Sequence, residues 1–266
     1  MTSLTYTVTD SATMLRRNLK HQLRYPSVTL MLVAMPLVFL LLFVYVFGGQ
    51  LGAGLGGQHG NRADYLTYVV PGILIMTVAS AALGTAISVA TDMTGGIIDR
   101  FRTMAIARSA VLTGHVIGSA IQTAIGIAVV LGVAVALGYR PTAGPLAWLA
   151  AIGTLLLFTF ALVWLSAALG LAANSVETAS NSPMFLTLLP LLSSGFVPTS
   201  SMPPGLRQFA EYQPYTPVTE TVRGLLTGAP IGTDAIAAVA WCVGITLVCY
   251  LWAVQLYNRR RAAEPN

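Results

Sequence analysis

Only 9% of the 266 residues are Asp, Glu, Lys or Arg, 55% are hydrophobic, and the mean hydropathy is +0.74. A soluble domain carries about 25% charged residues, so this composition excludes an ordinary soluble fold and points to a bilayer protein. The net charge of +5 does not argue for nucleic acid. No basic tract exceeds Arg259-Arg260-Arg261 and no aromatic-basic RNA signature occurs, so the excess reads as positive charge kept on the cytoplasmic face.

The chain opens on a basic stretch, residues 1–26. Ala12, Leu15, Leu19 and Leu23 recur at helical spacing, with Arg16, Arg17, Lys20 and Arg24 on the other faces. This predicts a cytoplasmic interfacial helix lying on the membrane before Pro26 turns the chain into its first span. No A-x-A cleavage site follows, so a removable signal peptide is not expected.

Six windows then lack Asp, Glu, Lys and Arg altogether: Ser27–Phe47, Tyr65–Thr91, Ser109–Tyr139, Pro141–Val176, Thr178–Leu206 and Ala235–Asn258. Each reaches the ~20 residues that a helix needs to cross hydrocarbon. Long unbroken apolar runs favour helices over barrel strands, which would alternate with a period of two. The predicted fold is an all-α polytopic membrane protein, a transmembrane domain over residues 27–258 with six transmembrane helices.

Between the first two windows, "GGQLGAGLGGQHGN" (Gly48–Asn61) reads as a flexible glycine-rich loop. Between the second and third, residues 92–108 gather Asp99, Arg100, Arg102 and Arg108 in "TGGIIDRFRTMAIARS". Gly114-x-x-x-Gly118 with Gln122 and Gly126 in the third window, and Ser80, Gly84 and Ser88 in the second, are small-residue stripes of the kind that pack helices closely. Pro183 and Pro190 in the fifth can kink it.

Residues 197–234 form the longest connection. Ser201, with Pro203 or Pro204 in the first turn, predicts the cap of a short helix carrying Leu206, Phe209 and Ala210 on one face. Thr216-Pro217 starts a second helix with Val218, Val222, Leu225 and Leu226, and Gly228 suits its stop. Both are too short to span, so short re-entrant outer helices, or a lid, are expected before the sixth span. Cys242 and Cys249 lie two turns apart on the sixth span, too far for a disulfide, and residues 259–266 form a short tail.

Lys and Arg set the orientation. With the N-terminus inside, Arg16, Arg17, Lys20, Arg24, Arg100, Arg102, Arg108, Arg259, Arg260 and Arg261 are cytoplasmic and only Arg62, Arg140, Arg207 and Arg223 are outside, ten against four. Both termini are then cytoplasmic in a multi-pass protein of the cell inner or plasma membrane.

Catalytic signatures are missing. Lys20 is the sole lysine and no glycine-rich loop precedes it, so the chain cannot form a phosphate-cradling P-loop. His21, His59 and His115 stand apart, without metal-site spacing, and no Gly-x-Ser-x-Gly elbow occurs. An ion-coupled transporter would carry an ionisable residue at mid-membrane. The windows hold none.

"GGIIDRFRTMAIARSAVLTGHV" (Gly95–Val116) resembles the cytoplasmic loop of type-2 ABC exporter permeases, in the daunorubicin-resistance branch. A second element, Leu191–Gly228, is similar to the family pattern at Phe196, Pro198, Met202, Pro203, Pro214, Thr216, Arg223, Leu225 and Gly228. Gly95, Ala105 and Gln213 stand where the family often has Glu, Pro and Asn. The resemblance covers nearly the whole chain.

It implies a non-catalytic permease subunit, powered by a separate ABC ATPase that binds ATP and Mg, with no cofactor in this chain. Its partners would be that ATPase, a second permease copy or a sibling permease, and membrane lipid, with no nucleic acid. Ile98, Asp99, Arg100, Phe101 and Arg102 would couple to the ATPase, Ile98 and Phe101 as an apolar docking face and the charges as its flanks. Arg16 and Arg17 of the surface helix join them. The family associates the path between protomers with the second and fifth helices, which nominates Met76, Ser80, Leu83, Ile87, Leu189, Leu192 and Phe196. Their apolar character suits a drug or lipid. A glycan or lipid-linked polymer is the alternative cargo, and a secondary transporter the alternative class.

Overall fold

The structure, a computed structural model, describes residues 26–55, 61–94, 108–173, 175–181 and 183–262. The N-terminal surface helix and the charged loop, with Arg16, Arg17, Ile98, Asp99, Arg100, Phe101 and Arg102, lie outside the described residues.

All regular structure among the described residues is helical. Helix α1 (Pro26–Leu41) passes through a wider π-helical turn (Leu42–Phe47) into α2 (Gly48–Leu55). Long helices follow as α3 (Arg62–Thr94), α4 (Arg108–Ala136) and α5 (Pro145–Ala172). Short pieces come next: α6 (Val176–Asn181), α7 (Met184–Leu188), a 3-10 turn at Leu189–Leu192 and another at Thr199–Ser201. Helices α8 (Pro204–Tyr212), α9 (Tyr215–Thr227) and α10 (Asp234–Ala262) complete the chain. Among the described residues, five stretches are long and apolar enough to cross a membrane: Leu32–Ala53, Arg62–Thr91, Val116–Ala136, Pro145–Ala172 and Asp234–Leu256.

Helices α3 and α5 form the centre. α5 packs against α3, α4, α9 and α10, and α3 also meets α1, α2, α6 and α7. Ile73, Leu74, Phe158, Leu162, Tyr215 and Val222 fill the space between them. Cys242 and Cys249 are buried free thiols on α10.

Three expectations need correction. Gly48–Leu55 is helix, not flexible loop, and Gly52 serves a close approach there: a side chain on it would run into the Asn61 backbone. Asn61 then caps α3. Its Oδ1 accepts from the Ala63 and Asp64 amides, while its own amide donates to Asp64 Oδ2 at 2.9 Å, a reciprocal box at the helix start.

The second correction concerns Thr178–Leu206, which is not one helix. Ala179 packs with Ala90 near the end of α3, whereas Phe196 is bonded to Tyr65 near its beginning. Twenty-five residues of α3 separate those contacts, about 38 Å at helical rise. The 17 steps from Ala179 to Phe196 would cover only about 26 Å as helix. The segment therefore has to stretch, and it does so at its prolines, which cannot donate to the helical ladder. Pro183 precedes α7, and Pro190 sits in the 3-10 turn that ends at Ser193 in extended conformation.

Ser201 does not cap the next helix. It lies in the 3-10 turn, where its Oγ donates to Pro198 O at 2.7 Å, and α8 begins from Pro203 with Pro204 in its first turn. Helix α9 ends as expected: Gly228 adopts φ +75°, a left-handed stop open to glycine, and its amide donates to Gly224 O.

Where the stretched segment crosses α3, backbone meets backbone. A Cβ on Gly72 would stand 2.5 Å from Gly195 O. Gly72→Ala is therefore expected to cost about 1–3 kcal/mol. Gly84→Ala, where a Cβ meets nothing within 4 Å, should be neutral or slightly stabilising. Thermal unfolding of both variants in detergent checks the contrast.

Candidate functional site

A carbonyl that leaves the helical ladder needs a donor from elsewhere once it is buried. Over Leu186 to Phe196 side chains from both flanks supply them. From α3, Tyr65 OH donates to Phe196 O at 3.1 Å and Tyr68 OH to Ser194 O at 2.7 Å. From α9 and its approach, Tyr215 OH donates to Leu186 O at 2.9 Å and Gln213 Nε2 to Leu192 O at 2.7 Å. Thr216 Oγ1 accepts from the Ser194 amide, and Ser193 Oγ closes the local turn onto Pro190 O.

One charged residue joins them. Arg223, on α9, lies with its guanidinium carbon 3.8 Å from the Tyr68 ring centroid. Its Nε and one terminal nitrogen donate to Tyr68 O, and that nitrogen also donates to Ser194 O at 2.8 Å. The other terminal nitrogen pairs with Glu220. The Arg223 side chain is 11% exposed and the Glu220 side chain 32%. A largely buried cation needs such a partner, since its desolvation is otherwise uncompensated.

Helix α9 is placed by this chemistry. Its apolar face, Val218, Val222 and Leu226, is buried against the core, and Thr142 reaches across from the α4–α5 connection to bond Leu226 O and Thr227 O. It sits as a wedge among α3, α5 and α10.

The nominated path residues fall in different surroundings. Met76 is enclosed in the core at 3% exposure. Ser80, Leu83 and Ile87 lie with Gly84, Ser88 and Thr91 on the open stripe of α3, whose other residues over 69–90 are buried, following positions i, i+3, i+4, i+7, i+8 and i+11. Phe196 is buried, with its ring 4.7 Å from that of Phe43. Leu192 is 40% exposed, and Leu189 lines a cleft of about 700 Å³ with Phe185, Phe209, Tyr212, Gln213 and Trp241. Both groups border α3, which packs against α7 and the Leu189–Leu192 turn. On α4, Gly126 meets Thr77, Leu32 and Val33 closely, so that small residue packs helices.

Residues 10–227 match the family model described as ABC-2 type transporter. The chain belongs to the ABC-2 type transporter family. Within it, the chain is similar to the daunorubicin resistance ABC transporter permease protein DrrB1 of Streptomyces coeruleorubidus, 29% identical over 240 residues, which is 90% of this chain and 82% of that relative. It is also 24% identical over 196 residues to the probable doxorubicin resistance ABC transporter permease protein DrrC of Mycobacterium tuberculosis, in two strains, covering 71% of each chain. This ABC-2 chain is a multi-pass membrane protein with drug-resistance permeases among its relatives. The stapled segment was missed in the sequence because Tyr65, Tyr68 and Arg223 look like ordinary outer-end residues. The signal was Pro183 and Pro190 followed by Ser193-Ser194-Gly195, too polar a run for a continuous span.

Tyr215→Phe keeps the ring but leaves Leu186 O without that donor, an expected loss of about 1–3 kcal/mol. Tyr212→Phe, at a residue 77% exposed, should stay within about 0.5 kcal/mol. Melting in detergent distinguishes the two.

Proposed function

We propose that this chain is the permease subunit of an ATP-driven exporter for hydrophobic or amphiphilic compounds, drugs or lipids, powered by a separate ATPase subunit. The observation that carries the reading is the family match over residues 10–227 in a chain that lacks the lysine of a P-loop. ATP and Mg would be held by the partner. Drug resistance in the names of the relatives supports the cargo class, and the open apolar, aromatic groove at Leu189 suits an amphiphilic compound.

The working unit would contain two permeases, identical or sibling, with two ATPases. The broken segment from Val176 to Val197 would supply a sixth crossing, α8 and α9 the outer re-entrant region over 197–234, and both termini would lie in the cytoplasm. Residues 1–26, with Arg16 and Arg17, and residues 92–108 would face the ATPase, and 27–258 would form the permease domain. Ser80, Leu83 and Ile87 on the open stripe of α3, with Leu189, Leu192 and Phe196 at the broken segment, would border the path. Met76, being enclosed, would act behind it.

A detergent pull-down with candidate ABC ATPases tests this. Wild type should retain an ATPase, and the Phe101→Ala, Arg102→Ala variant should lose it while still folding as a membrane dimer. Retention by neither contradicts the exporter reading; equal retention by both removes 92–108 from the coupling role.

A further inference from the structure

The bonds that Arg223 makes are distributed unevenly. One terminal nitrogen is committed to Glu220, three residues away on the same helix. The other bridges two separate elements, donating to Tyr68 O of α3 at 3.2 Å and to Ser194 O of the broken segment at 2.8 Å. Tyr68, stacked beneath the guanidinium, donates its own hydroxyl to the same Ser194 carbonyl. Moving the segment off α3 and α9 at this level therefore breaks both bonds to the Ser194 carbonyl together.

We infer that Arg223 is a positioning residue for transport, the clasp of an outer gate formed where Ser194–Phe196 lies against α3. Immediately beside the clasp the backbones are close, with Gly195 against Gly72 of α3, and the Phe196 ring packs on Phe43 of the π-helical turn. Arg223 ties the two sides of that seam. Glu220 makes the tie releasable: the pair stays on α9 when Ser194 moves off, so the freed cation keeps a counter-charge. A lysine could supply the charge but not a planar fork that reaches both carbonyls while stacking on Tyr68. The role as a gate rests on the exporter reading, but the clasp is a property of this chain alone.

Ser194 provides a reporter, because its own side chain is buried and its Oγ has no hydrogen-bond partner among the described residues. Ser194→Cys should therefore leave the clasp intact. Ser166, buried on α5 and likewise without a partner for its Oγ, provides the control for general loosening. With Cys242 and Cys249 replaced by alanine, the full chain carrying either reporter is labelled by a water-soluble maleimide in membranes and after solubilisation.

Arg223→Ala should raise labelling at Ser194→Cys about tenfold or more, the weight of a charge-assisted bond, while Ser166→Cys stays protected. Arg223→Lys should fall between. Unchanged protection at Ser194→Cys overturns the clasp. Equal exposure of both reporters also overturns it, since Arg223 would then merely hold the fold. Neither readout needs the ATPase, so failure of the exporter reading would appear separately, as no ATPase retained in the pull-down.

Discussion

A buried carbonyl that leaves a helix must be met by a donor from the protein, and much of the packing of α3, α9 and the broken segment follows from that constraint. The chain has to travel back along α3 from Ala90 to Tyr65 in fewer residues than a helix would need. It stretches at Pro183 and Pro190, and the carbonyls so exposed are those of Leu186, Leu192, Ser194 and Phe196. Tyrosines suit this task, since the ring is at home among apolar neighbours and the hydroxyl reaches the carbonyl. The burial of α9 then has a purpose beyond packing, because Tyr215, Thr216 and Arg223 have to be brought to the level of the break.

Because α3 supplies the other half of the staple, it joins the two ends of the molecule. Tyr65 and Tyr68 hold the broken segment at its start, and its last residue, Thr94, runs directly into the charged loop beginning at Gly95. A 33-residue helix is about 50 Å long. On the exporter reading, a push on that loop by a motor subunit would reach the outer gate along a single rigid element. The open stripe through Ser80, Leu83 and Ile87 lies between those ends, on the side of α3 that its own chain leaves uncovered.

The five long spans were legible because charge-free length is a sufficient signal when hydrocarbon is the solvent. The stop at Gly228 was legible because a left-handed turn has so few candidate residues. The fifth window was read as one kinked helix, because prolines reveal where donors are lost but not how far the chain must reach. Gly48–Leu55 was read as loop, since glycine composition does not separate freedom from close packing; contact with Asn61 decides it. Arg223 appeared only as an outer positive charge and a family position. Its partners Tyr68 and Ser194 are 155 and 29 residues away, beyond any local pattern.

Hydrogen–deuterium exchange of the chain in lipid nanodiscs most directly tests the claim that side chains satisfy the broken segment. If the staples hold, amides over 184–197 exchange slowly, nearer to those of α5 than to the connection at 228–233. If 184–197 exchanges as fast as that connection, the segment is not held by Tyr65, Tyr68, Tyr215 and Arg223, and the account of the broken segment fails.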